Sequence, residues 1–407
     1  MINRKTKYVY FFPAKGAGSL FKHFHIYERW PRLARERGLD ITMLGFLSAI
    51  DYMRGIDEVR KRTRANHVTV IPTPIGGKIK SGCIVLYFIF LALLYDRVVV
   101  HGRKVSAATR LELARHIVGD RIKYVVELES DPVLEAEYAA QADTTSLYYE
   151  DTTPEDAKSK QRLTVERADH VITITDELRE RLIDRYPELE LAEKTTAATV
   201  DFPDRVEYDT DARAAIRSQL GAGDRLVYTY IGSAAPVWQN FDRTIEVFSL
   251  LANQSEYDPF LLLLVREPDH DFVEQHITDA EISDEDYCLR EVRASEVKQY
   301  LHASDIGVML RDVHPMCEVV FGHKYLEYLS AGLPVLTTSV AKWTAELDRN
   351  GFGIVLKDID DDEAIIRKFE EFEPNDAARE RLAQWAIKKF DPKPQVDQYM
   401  EILCSLG

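Results

Sequence analysis

The sequence predicts an α/β protein built from two Rossmann-like domains, and three observations support that prediction. The chain has 407 residues, which exceeds the size at which a single hydrophobic core usually stops growing. Short strands rich in β-branched and aromatic residues alternate with segments of helical spacing, a pattern typical of a mostly parallel sheet covered on both faces. The same alternation begins again after Asp201, so we expect two such sheets.

The individual elements follow from apolar runs and their periodicity. In the first half, strands are predicted at Tyr8–Phe12, Ile41–Leu47, Val68–Ile71, Arg97–Val100, Tyr124–Val126 and Val171–Ile174, and helices at Phe24–Arg37 and Ala107–Ile117. In the second half, strands are predicted at Leu226–Ile231, Phe260–Val265, Ile306–Leu310 and Val335–Thr337, and helices at Phe241–Asn253, Val297–Ala303 and Lys324–Ala331. Because Asp and Pro break the periodicity within Val200–Ala212, the first domain is placed at residues 1–202 and the second at 203–392.

Composition and cysteine usage indicate an ordinary globular protein in a reducing compartment. Apolar residues make up 45% of the chain and charged residues 29%, enough apolar side chain for two cores. The four cysteines are far apart and form no C-x-x-C pair, so neither a disulfide framework nor a zinc site is expected. The N-terminus runs directly into a strand-like stretch and does not resemble a signal peptide. These features predict a cytoplasmic location.

One uncharged segment, Ile84–Leu94, invites comparison with a membrane span. It has the sequence IVLYFIFLALL, but eleven residues fall short of the roughly 20 that a bilayer requires. We therefore interpret it as a buried helix.

Charge is distributed unevenly along the chain. Residues 1–123 contain 23 Lys and Arg but only nine Asp and Glu, whereas the whole chain has a net charge of −16. Either the surface charge falls this way by chance, or the first domain faces an anionic partner. A cluster beside the apolar run favours an anionic membrane surface, and no nucleic acid is expected; its members are Arg54, Arg60, Lys61, Arg62, Arg64, Lys78 and Lys80.

The most informative segment is Gly322–Thr337, which reads GHKYLEYLSAGLPVLT. Lys324 would lie in the first turn of a helix that Gly332 ends with a left-handed cap, followed by a buried strand. The free N–H groups and partial positive charge of the helix N-terminus, together with Lys324, would suit a diphosphate. Glu327 could accept hydrogen bonds from both hydroxyls of a ribose. The alternative from the residues alone is an amphipathic helix whose Lys and Glu are merely solvated.

This segment resembles the signature of the retaining glycosyltransferases of family four, which have the GT-B fold of two Rossmann-like domains facing across a cleft. The resemblance implies that the second domain binds a nucleotide sugar through His323, Lys324 and Glu327, with Lys324 also stabilising the leaving diphosphate. It further implies that a terminal helix, about 393–407, packs back onto the first domain.

Other parts of the second domain fit the resemblance less completely. Gly232 and Ser233 follow a strand as in these enzymes and would approach the donor phosphates. Where relatives often carry a basic residue, this chain has Trp238-Gln239, so Arg266 is a candidate replacement, the alternative being a solvated surface arginine. The family's first glutamate falls on Val319; either Glu318 serves catalytically in its place or that glutamate is lost.

In the first domain, residues at predicted strand ends are candidates for the acceptor site. Gly16 and Gly18 form a loop after the first strand, although they make a poor dinucleotide-binding motif. His101 and Arg103 follow one strand and Glu127 follows another. We consider His101 a candidate catalytic residue, and Arg103 and Glu127 candidate acceptor-binding residues, the alternative for each being simple orientation or solvation.

Together, these features predict a glycosyltransferase that moves a sugar from a nucleotide sugar to a glycan or lipid-linked acceptor with retention of configuration. No D-x-D motif follows a strand, so no metal ion and no other cofactor is expected. Two alternatives remain: a nucleotide-sugar epimerase of the same fold, and a catalytically silent GT-B-like protein that acts in a complex.

Overall fold

The structure is a computed structural model, and it describes residues 6–12, 16, 20, 29–65, 67–74, 77–103, 105–141, 153–198, 210–320, 322–342, 344–372 and 375–407. Two compact units divide the chain. The first comprises Met1–Glu137, Asp151–Asp201 and Pro392–Gly407, and the second comprises Tyr138–Glu150 and Phe202–Asp391. The sequence placed the boundaries at 202/203 and 392/393.

The first unit is built on a parallel sheet of seven strands in the order β3-β2-β1-β4-β5-β6-β7. Its strands are β1 Lys7–Phe12, β2 Ile41–Ser48, β3 Val68–Thr73, β4 Val98–Arg103, β5 Ile122–Leu128, β6 His170–Thr173 and β7 Thr195–Ala197. Its helices are α1 Arg29–Glu36, α2 Ala49–Arg54, α3 Ile56–Ala65, α4 Gly77–Leu94, α5 Val105–Val118, α6 Pro132–Gln141, α7 Pro154–Arg167, α8 Asp176–Arg185 and, from the end of the chain, α18 Pro392–Leu406. Helix α6 runs past the boundary of this unit at Glu137.

The C-terminal helix α18 completes the core of the first unit. Val396, Tyr399 and Leu403 are buried in the same cluster as Trp30 of α1, and the Trp30 and Tyr399 rings lie 4.5 Å apart. The apolar side chains of α18 cover a core that β1 and β2 also line. The first unit therefore depends on residues from both ends of the chain.

The second unit has a parallel sheet of six strands in the order β10-β9-β8-β11-β12-β13. Its strands are β8 Leu226–Ile231, β9 Pro259–Leu264, β10 Tyr287–Arg290, β11 Ile306–Met309, β12 Val335–Thr338 and β13 Gly353–Leu356. Its helices are α9 Thr210–Leu220, α10 Phe241–Gln254, α11 His270–Asp279, α12 Ala294–Ala303, α13 Pro315–Glu318, α14 His323–Ser330, α15 Thr344–Asn350, α16 Asp362–Glu370 and α17 Asp376–Lys389. The prediction of two parallel-sheet, Rossmann-like domains is confirmed.

Tyr328 of α14 fixes this helix over the point where β8 and β11 separate. The paired register of these strands includes Gly307 opposite Thr229, and a side chain at Gly307 would lie within 2.6 Å of the Tyr328 ring. The Tyr328 hydroxyl accepts a hydrogen bond from the Ile231 N–H at 3.1 Å, which satisfies a backbone donor beyond the end of the pairing. Glycine at 307 is therefore required for α14 to approach the sheet.

Helix α4 differs from the buried helix predicted for Ile84–Leu94. It begins earlier, at Gly77, and only Ile84, Phe88, Leu91 and Ala92 are buried. Among the described residues it is the one helix long and apolar enough to cross a membrane by length and composition. One side of α4 is buried, as predicted. The other side is apolar and exposed, so the prediction of a fully buried helix is wrong for that side.

Candidate functional site

Candidate site residues of the second unit lie at the carboxyl edge of its sheet. Gly232 follows β8, Arg266 follows β9, and Arg311 follows β11. Strands β8 and β11 are neighbours in the sheet, yet the chain leaves them in opposite directions across it. Open α/β sheets bind ligands in the crevice that forms at such a switch point.

Gly232 and Lys324 meet at this crevice. Gly232 has a positive φ of 94°, a conformation that favours glycine. A Cβ at this position would also lie 2.9 Å from Cε of Lys324. Gly232 therefore serves both the turn after β8 and the path of the lysine side chain, and the structure brings these two predicted donor-binding residues together.

The ammonium group of Lys324 is held by neutral partners. Its Nζ atom donates to Oε1 of Gln239 at 3.0 Å and to the carbonyl of Ser233 at 3.4 Å, and it lies 3.8 Å from the centre of the Tyr230 ring. Burial, assisted by the charge of Arg311, holds the pKa of Lys324 well below the ordinary value of a lysine. An anion in the crevice would reverse that effect, so this site favours a negatively charged ligand.

Arg311 provides a second cation that the sequence analysis did not select. The residue is only 6% exposed, and its Nη2 atom lies 3.3 Å from the position of a Cβ built at Gly322, the N-cap of α14. Its Nε atom is buried without a hydrogen-bond partner, and in the part of the chain that the structure describes no carboxylate forms an ion pair with it. A buried, unpaired guanidinium is costly unless a ligand neutralises it.

Helix α14 places its N-terminus and Glu327 in the same region. Its backbone geometry is as predicted, since Gly332 has a φ of 62° and ends the helix. The first-turn N–H groups and the helix dipole add positive potential beside Lys324 and Arg311. Burial raises the pKa of Glu327 to about 7, although Lys324 and Lys298 act in the opposite direction. A carboxyl group of this kind would gain hydrogen bonds from a ligand that carries hydroxyls.

Hydrogen bonds join the loops after β8 and β9. The Ser233 hydroxyl donates to Oδ2 of Asp269 at 2.6 Å, and the Ala234 N–H donates to the same oxygen at 3.0 Å. Arg266 donates to the Ser233 hydroxyl at 2.9 Å while 41% of its side chain stays exposed. Asp269 therefore fixes the loop, and Arg266 keeps donors available at its edge.

The residues around the expected first glutamate occupy distinct positions. Val319 is 1% exposed, so the site at that register is filled by a core side chain. Glu318 ends the short helix α13 and is partly exposed, and His323 begins α14 with an exposed side chain. The catalytic role of Glu318 and the donor-binding role of His323 stay predictions.

In the first unit, the polar residues at the ends of β4 and β5 form an internal network. His101 is fully buried; its Nδ1 atom lies 2.8 Å from the Tyr399 hydroxyl, and its Nε2 atom lies 3.1 Å from Oε2 of Glu127. Burial lowers the pKa of His101, although Glu127 acts in the opposite direction. The ring has no exposed surface, and its contact with Tyr399 joins α18 to the sheet. The catalytic role of His101 stays a prediction.

Arg103 and Glu127 are also buried, and their contact with an acceptor stays a prediction. Arg103 lies 3.3 Å from Glu127 and donates to Glu129 at 2.7 Å. Burial alone would raise the pKa of Glu127, but Arg103 and His101 bring it below its usual value. Glu129 is the member whose side chain reaches solvent, at 28% exposure.

The two glycines predicted in the acceptor loop can be placed only in part. The Gly16 carbonyl accepts a hydrogen bond from the Leu20 N–H at 3.0 Å. Gly18 lies outside the described residues. Acceptor binding by this loop stays a prediction.

Two further observations concern metal-binding groups and a second depression in the second unit. No group of three or more His, Cys, Asp or Glu residues suited to a metal ion occurs in the described ranges. A broad depression of about 1130 Å³ lies at the amino edge of the second sheet, but its arginines Arg213 and Arg225 are paired with Asp305, Asp258 and Asp286. Because those charges are already neutralised, the carboxyl edge is the better candidate site.

The sequence and the fold both match known glycosyltransferases. Residues 212–389, nearly the whole second unit, match the family described as "Glycosyl transferases group 1". This agrees with the resemblance inferred from the GHKYLEYLSAGLPVLT segment. No curated protein matches the sequence significantly.

Several solved structures share the GT-B fold over nearly the whole chain. The Anabaena protein Alr3699/HepE, solved with UDP and glucose, has a TM-score of 0.69 at 16% identity, covering 98% of this chain and 100% of that one. Sucrose-phosphate synthase from Thermosynechococcus elongatus has a TM-score of 0.68 at 13% identity, covering 98% and 99%. WaaG, a glycosyltransferase involved in lipopolysaccharide biosynthesis, has a TM-score of 0.61 at 16% identity, covering 97% and 99%. The chain therefore has the fold of the GT-B glycosyltransferases.

Proposed function

We propose that the protein is a glycosyltransferase whose second unit binds a nucleoside-diphosphate sugar and whose product keeps the configuration of the donor sugar. The observation that carries the proposal is the pair of cations, Lys324 and Arg311, that converge without a carboxylate partner among the described residues on the N-terminus of α14. A diphosphate is the anion that this combination of charges and backbone N–H groups fits. Glu327, one turn further along, is suitably placed for the ribose hydroxyls.

The proposed reaction places most of the catalytic demand on the leaving group. The bond between the sugar's anomeric carbon and the phosphate oxygen breaks, and its electron pair goes to the diphosphate. An acceptor hydroxyl attacks the same face of the sugar, and its proton passes to the departing phosphate oxygen. Lys324, Arg311 and the helix N-terminus would stabilise the charge that develops, without a metal ion, because these groups are held in position before the reaction.

The class of acceptor is inferred from the charge of the first unit and from the pathway of a protein that shares the fold. We propose an acceptor that is a glycan or a lipid-linked sugar, used in the synthesis of a surface polysaccharide or glycolipid. The excess of basic residues in 1–123 supports docking on an anionic membrane from the cytoplasmic side. WaaG, which shares the fold, acts in lipopolysaccharide biosynthesis, and this likeness supports the same direction.

The test is a transfer assay with UDP-, GDP- and ADP-sugars and a panel of glycan and polyprenyl-linked acceptors. We expect nucleoside diphosphate to be released only when an acceptor is present, and NMR of the product to show the anomeric configuration of the donor. Free interconversion of the nucleotide sugar without release would identify an epimerase. Binding without either reaction would identify a catalytically silent protein, and an inverted product would contradict the proposed stereochemistry.

A further inference from the structure

The outer face of α4 is an apolar stripe. From Ser81 to Leu94 the helix contains no charged residue. Its exposed apolar side chains are Ile79, Leu86, Phe90, Leu93 and Leu94, between 49% and 66% exposed. Spacings of three, four or seven residues connect them and place them on one side. A surface helix normally presents polar residues on its outer side, so this stripe requires an explanation.

Helix α5 extends the stripe sideways. Arg110 of α5 donates to the Ser81 hydroxyl at 3.3 Å, and Arg121, just after α5, donates to the Ala92 carbonyl at 3.3 Å. Both bonds join residues 29 positions apart, so the two segments run side by side in a constant register. Leu113 and Ile117 of α5, 56% and 68% exposed, therefore lie level with positions 84 and 88 of α4. The two helices form one broad apolar face.

Basic side chains lie at one end of this face, the end nearest the carboxyl edge of the sheet. Lys78 begins α4, and Arg54 ends α2, whose exposed Ile50 and Met53 add further apolar surface. An electrostatic interaction between Lys80 and Asp51 brings α2 close to the start of α4. Lys78 and Arg54 are exposed, and neither takes part in an ion pair within the described ranges. The opposite end carries Asp96 and Asp120.

Arg60 and Lys61 of the cluster predicted from sequence belong to the opposite face. Arg60 and Lys61 lie on α3, the crossover from β2 to β3, whereas α4 crosses in the other direction, from β3 to β4. Right-handed crossovers place two such helices on opposite sides of the sheet. The run of basic residues is therefore divided, and only its members near α4 adjoin the apolar face.

We propose that the exposed face of α4 and α5 is a membrane-docking surface that inserts shallowly into an anionic lipid bilayer, with Lys78 and Arg54 directed at the lipid phosphates. This inference rests on the proposed function, because the purpose of docking is to present the carboxyl edge of the first sheet to a membrane-bound acceptor. Helix α4 lies on the membrane and does not span it, because Phe88 on its inner side is fully buried and packs at 5.3 Å from the ring of Phe11 in β1. An apolar helix face flanked by cations is the arrangement that favours the bilayer interface.

The test is flotation of the purified protein with vesicles of phosphatidylcholine alone or mixed with phosphatidylglycerol, at low and high salt. We expect binding to the mixed vesicles that weakens with salt. Leu86→Gln combined with Phe90→Gln should lower the partition coefficient by at least about tenfold. Val313→Gln, which replaces an equally exposed side chain in the second unit, should leave it unchanged.

A second pair of variants separates the surface from overall charge. Each cation near an anionic bilayer contributes about fivefold to partitioning at low salt, so Arg54→Gln with Lys78→Gln should lower it by about 25-fold. Arg60→Gln with Lys61→Gln removes the same charge from the opposite face and should have little effect. Equal losses from both pairs would contradict the proposed orientation.

Two controls keep this proposal separate from the transferase proposal. Nucleoside-diphosphate binding in solution should be the same for the wild-type protein and all variants of the first unit, since the second unit is unaltered in them. If nucleotide binding persists while vesicle binding is absent, only the docking surface is overturned. A dimer that Leu86→Gln with Phe90→Gln dissociates, seen by sedimentation, would also overturn it and assign the face to a second copy of the chain.

Discussion

Replacing Arg311 by methionine should weaken nucleoside-diphosphate binding and stabilise the empty protein at the same time. The side chain is 6% exposed, its Nε is unpartnered, and no carboxylate of the described residues pairs with it. In the empty protein it is therefore a buried charge without compensation from that part of the chain. Loss of a hydrogen bond to a charged group costs about 1.5–3 kcal/mol, which corresponds to an affinity lower by about 10- to 150-fold. Removal of the unpaired charge should raise the free energy of unfolding by about 1 kcal/mol or more, or the Tm by about 2–4 °C for a domain of this size.

Arg379 provides the matched control, because it is an equally buried arginine of the same unit whose two terminal nitrogens both donate to backbone carbonyls. Its guanidinium donates to the carbonyls of Ser304 and Leu301 at 2.5 and 3.1 Å. Arg379→Met should therefore lower the free energy of unfolding by about 1–3 kcal/mol and leave nucleotide affinity unchanged. Calorimetric titration with a nucleoside diphosphate and thermal unfolding of the empty proteins measure both quantities. If Arg311→Met keeps its affinity, or if it destabilises the empty protein as Arg379→Met does, the assignment of Arg311 is refuted.

Three further predictions concern the same site. Lys324→Ala should lower kcat more than it weakens donor binding, because the charge it stabilises develops in the transition state; equal losses in steady-state turnover and calorimetric affinity would make it a binding residue only. Since the pKa of Glu327 is raised to about 7, the carboxylate is lost as the pH falls through 7. Donor KM should therefore rise below that pH, and Glu327→Gln should raise donor KM at neutral pH and remove this dependence; a Glu327→Gln profile identical to wild type would exclude the ribose contact. Activity should survive EDTA, and complete loss that Mn²⁺ restores would contradict a metal-independent mechanism.

The sequence predicted those parts of the fold whose signals are local. Apolar runs identified β8 and β12 closely, and Gly332 with Pro334 marked the end of α14. Three of the four edge strands, β7, β10 and β13, were missed because each has only three or four residues, too few to show a clear period. The sheet order could not be predicted, since it depends on contacts between distant segments.

The site was predictable where its residues share one segment. Gly322–Thr337 carries Lys324 and Glu327 on a single helix, and the structure keeps both beside the crevice. Arg311 was missed because its significance depends on two facts that the sequence does not display. Its side chain is buried, and no carboxylate of the described residues pairs with it. Gln239 was noted only as a departure from related enzymes, yet it is a hydrogen-bond partner of Lys324.

The first domain was harder because strand-end residues can point inward or outward. His101, Arg103 and Glu127 follow the pattern of cleft residues, but each is at most 2% exposed, and His101 and Arg103 both pair with Glu127. Helix α4 shows the opposite situation, since an uncharged run that was expected to be buried has an exposed side. In both cases the deciding quantity was exposure, which depends on neighbours that are distant in sequence.

We infer that Arg311 and Lys324 in the second unit hold the diphosphate of a nucleotide sugar. The most direct test is calorimetric titration of UDP, GDP and ADP, with EDTA present, into the wild-type protein and into the double variant Arg311→Met/Lys324→Met. We predict that at least one nucleotide binds wild type at a single saturable site, that the double variant loses this binding, and that Arg379→Met retains it. Binding that survives in the double variant, or no binding of any nucleoside diphosphate to the folded wild-type protein, would contradict the claim.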